Sequence, residues 1–167
     1  GHIGIVSMLL ERKADGTPVY PAVVRDIAAD NNEAFRAACR GGHIGIVSML
    51  LAQDQNGTPV YPGVVRDIAA WDNAALLAAC LGGHIGIVSM LLARDQNGTP
   101  VYPEVVGKIA LFGNQVLRAA CDGGRIAIVE ILLKELAADI AANIYSYCSI
   151  FDSAVSRFDF EIITALL

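Results

Sequence analysis

The sequence predicts an all-α fold built from stacked helical repeats. Three observations carry that expectation. The decapeptide Gly-His-Ile-Gly-Ile-Val-Ser-Met-Leu-Leu starts at Gly1, Gly42 and Gly83 without a change, and an altered copy starts at Gly124, so the period is a constant 41 residues. A fixed period of this size marks a repeat architecture in which each unit completes the core of its neighbour. Within each unit the apolar residues recur at helical spacing, as at Ile44, Val47, Leu50 and Leu51. Finally, 54% of the 167 residues are apolar and only 17% charged, which suits helices covered on more than one side and excludes intrinsic disorder.

Each unit reads as three helical pieces. The first runs over 43–52 in the second copy and ends in the loop Gln53–Pro59, where Asn56-Gly57 and Thr58-Pro59 are turn signals. The second is expected over 62–70. Pro62 suits a first helical position, where its missing N–H costs nothing, and Val64, Val65, Ile68 and Ala69 supply an apolar stripe. The third is expected over 73–81, capped by Asp72 or Asn73. Gly82-Gly83 then permits the reversal into the next unit. The units starting near 1, 42, 83 and 124 are followed by a partial terminal unit near 146–167. Its segment 159–167 matches 125–133 at an offset of 34, with most of the loop and second helix missing. The whole chain, 1–167, is thus expected to be one array, and a piece of something longer.

The junction Asn32-Glu33-Ala34-Phe35-Arg36-Ala37-Ala38-Cys39-Arg40-Gly41-Gly42-His43 followed by Ile44-Gly45-Ile46-Val47-Ser48-Met49-Leu50-Leu51 resembles an ankyrin repeat. Ala38-Cys39 stand at the small pair that ends the family's inner helix, Gly42-His43 at its turn, and Ile44 to Leu51 at its outer helix. Two departures stand out. The family's Thr-Pro-Leu-His opening is replaced by Glu33-Ala34-Phe35-Arg36, and the period exceeds the usual ~33 residues by about the length of the Pro62-led piece. The family's β-hairpin finger is therefore expected to be replaced or displaced by a short helix. A three-helix array of the armadillo or HEAT kind is the structural alternative. Near-identical copies with this opening are similar to arrays in secreted effector proteins of intracellular bacteria. That resemblance implies a cytoplasmic setting, the host cytosol, and a host protein as partner.

Other chemistry finds little support. The net charge of −5 argues against nucleic acid, whose phosphates attract basic surfaces. Cys39 and His43, and Cys80 and His84, have ligand-like spacing, but each pair offers two ligands where zinc takes four, and the third copy has Arg125 in place of the histidine. Equivalent cysteines in stacked helices lie about 10 Å apart, too far for a disulfide, which fits a reducing compartment. The uncharged stretch 73–93 is long enough to span a bilayer. Its in-phase counterparts carry Arg36 and Arg40, or Arg118 and Asp122, so no membrane span is expected. No nucleophile elbow, P-loop or dinucleotide fingerprint occurs, so neither catalysis nor a cofactor or metal is expected.

The copies provide their own comparison. On the third helix the varied sets are Asp30/Trp71/Phe112, Glu33/Ala74/Gln115, Arg36/Leu77/Arg118 and Arg40/Leu81/Asp122. Steps of 3, 3 and 4 place them on one helix face. The ankyrin resemblance implies that this face lines a concave protein-binding strip. Trp71, Phe112, Leu77 and Leu81 would form its apolar centre, flanked by Arg36, Arg40, Arg118, Glu33, Gln115 and Asp122. Alternatively, Trp71 and Phe112 pack against the inserted Pro-led helix. The expected function is a protein-interaction scaffold, monomeric but able to stack end to end. The alternatives are an accessory domain serving a catalytic part elsewhere and a structural spacer.

Overall fold

The computed structural model describes residues 2–142 and Ile150. The partial unit expected near 146–167 otherwise lies outside them. Nine helices form among the described residues, and no strand does: α1 (Ile3–Leu9), α2 (Pro21–Arg25), α3 (Ala29–Arg40), α4 (Ile44–Leu50), α5 (Pro62–Arg66), α6 (Ala70–Gly82), α7 (Ile85–Leu91), α8 (Pro103–Asp122) and α9 (Ile126–Ala142). The all-α class therefore holds. No helix of the described residues is long and apolar enough to cross a membrane.

The first helix of each of the first three units is the heptapeptide Ile-Gly-Ile-Val-Ser-Met-Leu, as α1, α4 and α7. Its last backbone donors turn into a loop organised by one aspartate. Asp54 Oδ1 accepts the N–H groups of Asn56 and Thr58 at 2.8 and 2.9 Å, and Asp95 repeats this one unit later with Asn97 and Thr99. The chain reverses at Gly57, whose φ of +77° is the left-handed conformation glycine adopts freely. The return strand pairs backward in an isolated antiparallel bridge, Gln53 with Pro59. The expectation that a short helix takes the place of a hairpin is corrected in this respect. A hairpin-like loop and the short helix are both present, in series.

That helix begins at proline in each copy, Pro21, Pro62 and Pro103. In the first two copies it lasts one and a half turns. The side chains of Arg25 with Asp26, and of Arg66 with Asp67, form ion pairs at its end, and a turn follows. The third copy has Gly107-Lys108 in place of the Arg-Asp pair, and α8 runs unbroken for 20 residues where two helical pieces were expected.

A second correction concerns the start of the long inner helices. Asp30, Asn31 and Asn32 in α3, and Trp71, Asp72 and Asn73 in α6, all take left-handed φ between 51° and 64°. Neither helix has a side-chain N-cap, so Asp72 and Asn73 do not cap α6. Instead Asn32 Nδ2 donates to the Val64 carbonyl at 2.7 Å, and Asn73 Nδ2 to the Val105 carbonyl at 2.8 Å, each reaching into the following unit. Both asparagines are buried. The left-handed turn aims the amide across the unit boundary, and asparagine is among the few non-glycine residues that tolerate this φ.

Equivalent helices pack on one another in order, α3 on α6 and α6 on α8, with α1 on α4, α4 on α7 and α7 on α9, while α8 packs on α9 as α3 does on α4 and α6 on α7. The core is a continuous apolar cluster, with Phe35, Leu76 and Leu117 at one recurring position and Val47, Val88 and Val129 at another. A histidine ties one inter-unit turn to the end of the inner helix before the preceding turn. His84 Nε2 lies 3.1 Å from the Arg40 carbonyl, an acceptor that selects the Nε2–H tautomer. A side chain at Gly42, where φ is +69°, would collide with that ring. Glycine is required there on both counts.

Candidate partner-binding surface

The variable face of the inner helices is where a partner would be sought, since its residues differ between units that otherwise repeat. Four of the expected residues come together at the α3–α6 boundary. The Arg36 guanidinium stacks over the Trp71 indole, 5.1 Å from the ring centroid, within the range of a cation–π contact. The same guanidinium pairs with Glu33, and Arg36 Nη2 donates to the Asp30 carbonyl at 3.3 Å. Arg40 approaches Glu33 at 3.9 Å from the solvent side. Arg36 is thereby held with its side chain 13% exposed, while Trp71 remains 66% exposed. Of the two placements open to Trp71, the structure has the exposed one.

The other residues distribute less uniformly. Leu81 is exposed on the last turn of α6. Leu77, expected on the same surface, is instead partly buried and packed against the core, so it is corrected to a packing residue. Neighbouring helices on both sides of α6 cover more of it than a single helix face would suggest. Gln115, Arg118 and Asp122 are exposed along α8. Phe112 falls within α8, but its side chain is outside what is described.

Cys39 and Cys80 are fully buried, and burial pushes each thiol up to about 12, so both are protonated at neutral pH. Among the described residues no three His, Cys, Asp or Glu side chains gather in a group that could hold a metal ion. The Arg25–Asp26 and Arg66–Asp67 pairs lower the aspartates through hydrogen bonding to the guanidinium, but these are exposed pairs at helix ends.

Two features were not anticipated. One is the cross-boundary role of Asn32 and Asn73. The signal was available, because a polar residue stays fixed at 32, 73 and 114 while its neighbours change. The other is the exposure of Ile5, Met8 and Leu9 on α1, whose equivalents in the inner copies are buried or partly buried. No protein-family model, curated protein or solved structure matches this chain.

Proposed function

We propose that the chain is a protein-binding scaffold: an ankyrin-like array of stacked units, each with an extra short helix, that engages a protein partner through the variable face of its inner helices. The observation that carries this reading is Trp71. A large aromatic two-thirds exposed to solvent contributes little to the core. It also sits at φ +53°, where a bulky L-residue costs on the order of 1–2 kcal/mol. The first copy has Asp30 at the equivalent place and the same left-handed backbone, so folding does not demand tryptophan. Tryptophan and arginine dominate binding hot spots, and here Arg36 is stacked on Trp71 and held by Glu33 before any partner arrives. A preordered pair of this kind loses little entropy on association.

The test compares the unaltered chain with a Trp71→Asp, Leu81→Asp version as baits for eukaryotic cytosol. Trp71→Asp reproduces the residue of the first copy, so circular dichroism and the thermal midpoint should match the parent. A protein retained by the parent and lost, at least about tenfold in Kd, from the folded double variant supports the reading. Equal retention by both folded baits would remove this face from the function.

A further inference from the structure

The loops of the first three units share one backbone and differ in wiring. In each, the turn glycine donates its N–H to the carbonyl three residues before it: Gly16 to Lys13 at 2.9 Å, Gly57 to Asp54 and Gly98 to Asp95 at 3.0 Å. The residue just before the glycine is Asp15 in the first copy, and Asn56 and Asn97 in the next two. In those two the turn is anchored by the Asp54 or Asp95 carboxylate, which accepts two backbone N–H groups. The first copy has Lys13 at that place, and Asp15 takes over. Its Oδ1 accepts the Thr17 hydroxyl at 2.6 Å and the Thr17 N–H at 2.9 Å, and these bonds hold its carboxyl below the usual carboxylate range.

Asn56 and Asn97 are exposed, and they are the two asparagines of this sequence that precede glycine. Glycine carries no side chain to shield its amide nitrogen and gives the turn its widest freedom in φ and ψ. A β-carbon at Gly98 would meet nothing within 4 Å, and one at Gly57 only the tip of the Gln53 side chain at 4.0 Å, so these turns are uncrowded.

We propose that Asn56 and Asn97 are modification sites, at which the folded chain deamidates to aspartate through a cyclic imide. The Gly57 nitrogen attacks Asn56 Cγ and the Cγ–Nδ2 bond breaks. The N–H proton passes through solvent to the departing nitrogen, which leaves as ammonia. Water then opens the imide, giving aspartate when the bond to Cγ breaks and isoaspartate when the bond to the main-chain carbonyl carbon breaks. Asn97 and Gly98 react alike. Nothing is oxidised or reduced, and each event adds one negative charge. Because the glycine N–H is held by a carbonyl, attack starts from an opened turn, and the Asp54 or Asp95 anchor sets how often that turn opens. The aspartyl product has a template in the first loop, where Asp15 closes the same backbone on Thr17; Thr58 and Thr99 keep that threonine. The chemistry is independent of the Trp71 face.

The experiment incubates the full chain in mildly alkaline buffer, which favours the amide anion, and follows tryptic peptides by mass spectrometry. Cleavage after Arg40 and Arg66 isolates Asn56, and cleavage after Arg94 and Lys108 isolates Asn97. Both peptides should convert to the acid form at constant circular dichroism, while those carrying Asn31, Asn32 and Asn73 keep their amides. Asp54→Ala should speed conversion at Asn56 by about threefold or more and leave Asn97 unchanged, because one turn alone loses its anchor. Gly57→Ala should slow Asn56 alone, since a β-carbon shields the nitrogen. The Asn56→Asp, Asn97→Asp variant should keep the circular dichroism and thermal midpoint of the parent. Amides at Asn56 and Asn97 that last as long as that of Asn73 overturn the proposal. So does Asp54→Ala that speeds neither site, or that speeds both alike, which would place the reaction in the unfolded chain. An unfolded double aspartate variant would overturn the template drawn from the first loop.

Discussion

Asn73 is the residue whose replacement tests the inter-unit packing most directly. Its amide is 1% exposed, and Nδ2 donates to the Val105 carbonyl at 2.8 Å, 32 residues ahead. Its backbone has φ +64°. Asn73→Gly keeps the left-handed backbone and removes the hydrogen bond. Losing a buried bond of this kind costs about 1–3 kcal/mol, because a carbonyl is left without its partner. Asn73→Ala removes the bond and also places a Cβ on a left-handed backbone, which adds about 1 kcal/mol. The alanine variant should therefore lose about 2–4 kcal/mol, and at about 2–4 °C per kcal/mol for a chain of this size the thermal midpoint drops by roughly 4–16 °C.

Asn73→Asp adds a pH dependence. A carboxylate can only accept, and it would face the Val105 carbonyl in a buried site, so burial and the lone-pair contact raise its pKa in the folded chain. A raised folded pKa gives stability that is full below the unfolded aspartate value, near 3.9, and is lost as pH rises through the folded value. This variant should lie close to the parent in acid, where its hydroxyl can donate, and fall below Asn73→Ala at pH 7. Urea titrations at pH 4 and pH 7 measure both. If Asn73→Ala matches the parent, or Asn73→Asp is equally stable relative to the parent at both pH values, the bond across the unit boundary does not bear on stability.

Glycine at the junction should be more sensitive than glycine in the loop. Gly42→Ala and Gly98→Ala both put a side chain at positive φ, but only the first meets the His84 ring, while nothing lies within 4 Å of the second. Gly98→Ala should cost about 1 kcal/mol and Gly42→Ala measurably more by denaturant titration; equal losses would mean that the histidine is not packed as described. Two of the buried thiols, Cys39 and Cys80, give an alkaline limb. Each folded pKa, near 12, lies above the unfolded value, so stability is full below about pH 8.5 and falls above it, with a slope approaching 1.4 kcal/mol per pH unit per thiol. The Cys39→Ala, Cys80→Ala double variant should lose less stability between pH 8.5 and 10.5 than the parent, and an unchanged slope would refute the assignment.

Much of the helical layout is legible in the sequence, because it is set by short-range chemistry that repeats in phase. The period locates α1, α4 and α7, and proline marks the starts of α2, α5 and α8. Where the expectations fail, the deciding interaction comes from another unit. The segment 71–73 looks like a capped helix start because aspartate and asparagine are good caps. The structure instead spends the asparagine on a carbonyl 32 residues away, and the backbone turns left-handed to allow it. Leu77 lies on the variable face by spacing alone, yet α3 and α8 both pack against α6 and cover it. The loop at 53–59 reads correctly as a turn, but its antiparallel closure depends on Asp54 accepting two backbone donors, a geometry that turn residues do not announce.

The variable face was found by a different logic, and that logic explains why only part of it holds together. Variation between copies shows that a position is free of a constraint shared by all units; it does not show that the position is free of constraint in its own unit. Arg36 illustrates the difference. It is replaced by Leu77 in the next copy and returns as Arg118 in the third, yet in its own setting it is pinned by Glu33, by the Asp30 carbonyl and by the Trp71 ring. Trp71 has the opposite character, with an exposed ring and a backbone conformation that tryptophan does not favour. A residue that stability would replace by aspartate, as the first copy does, is the one position on this face where selection for something other than folding is the simpler explanation.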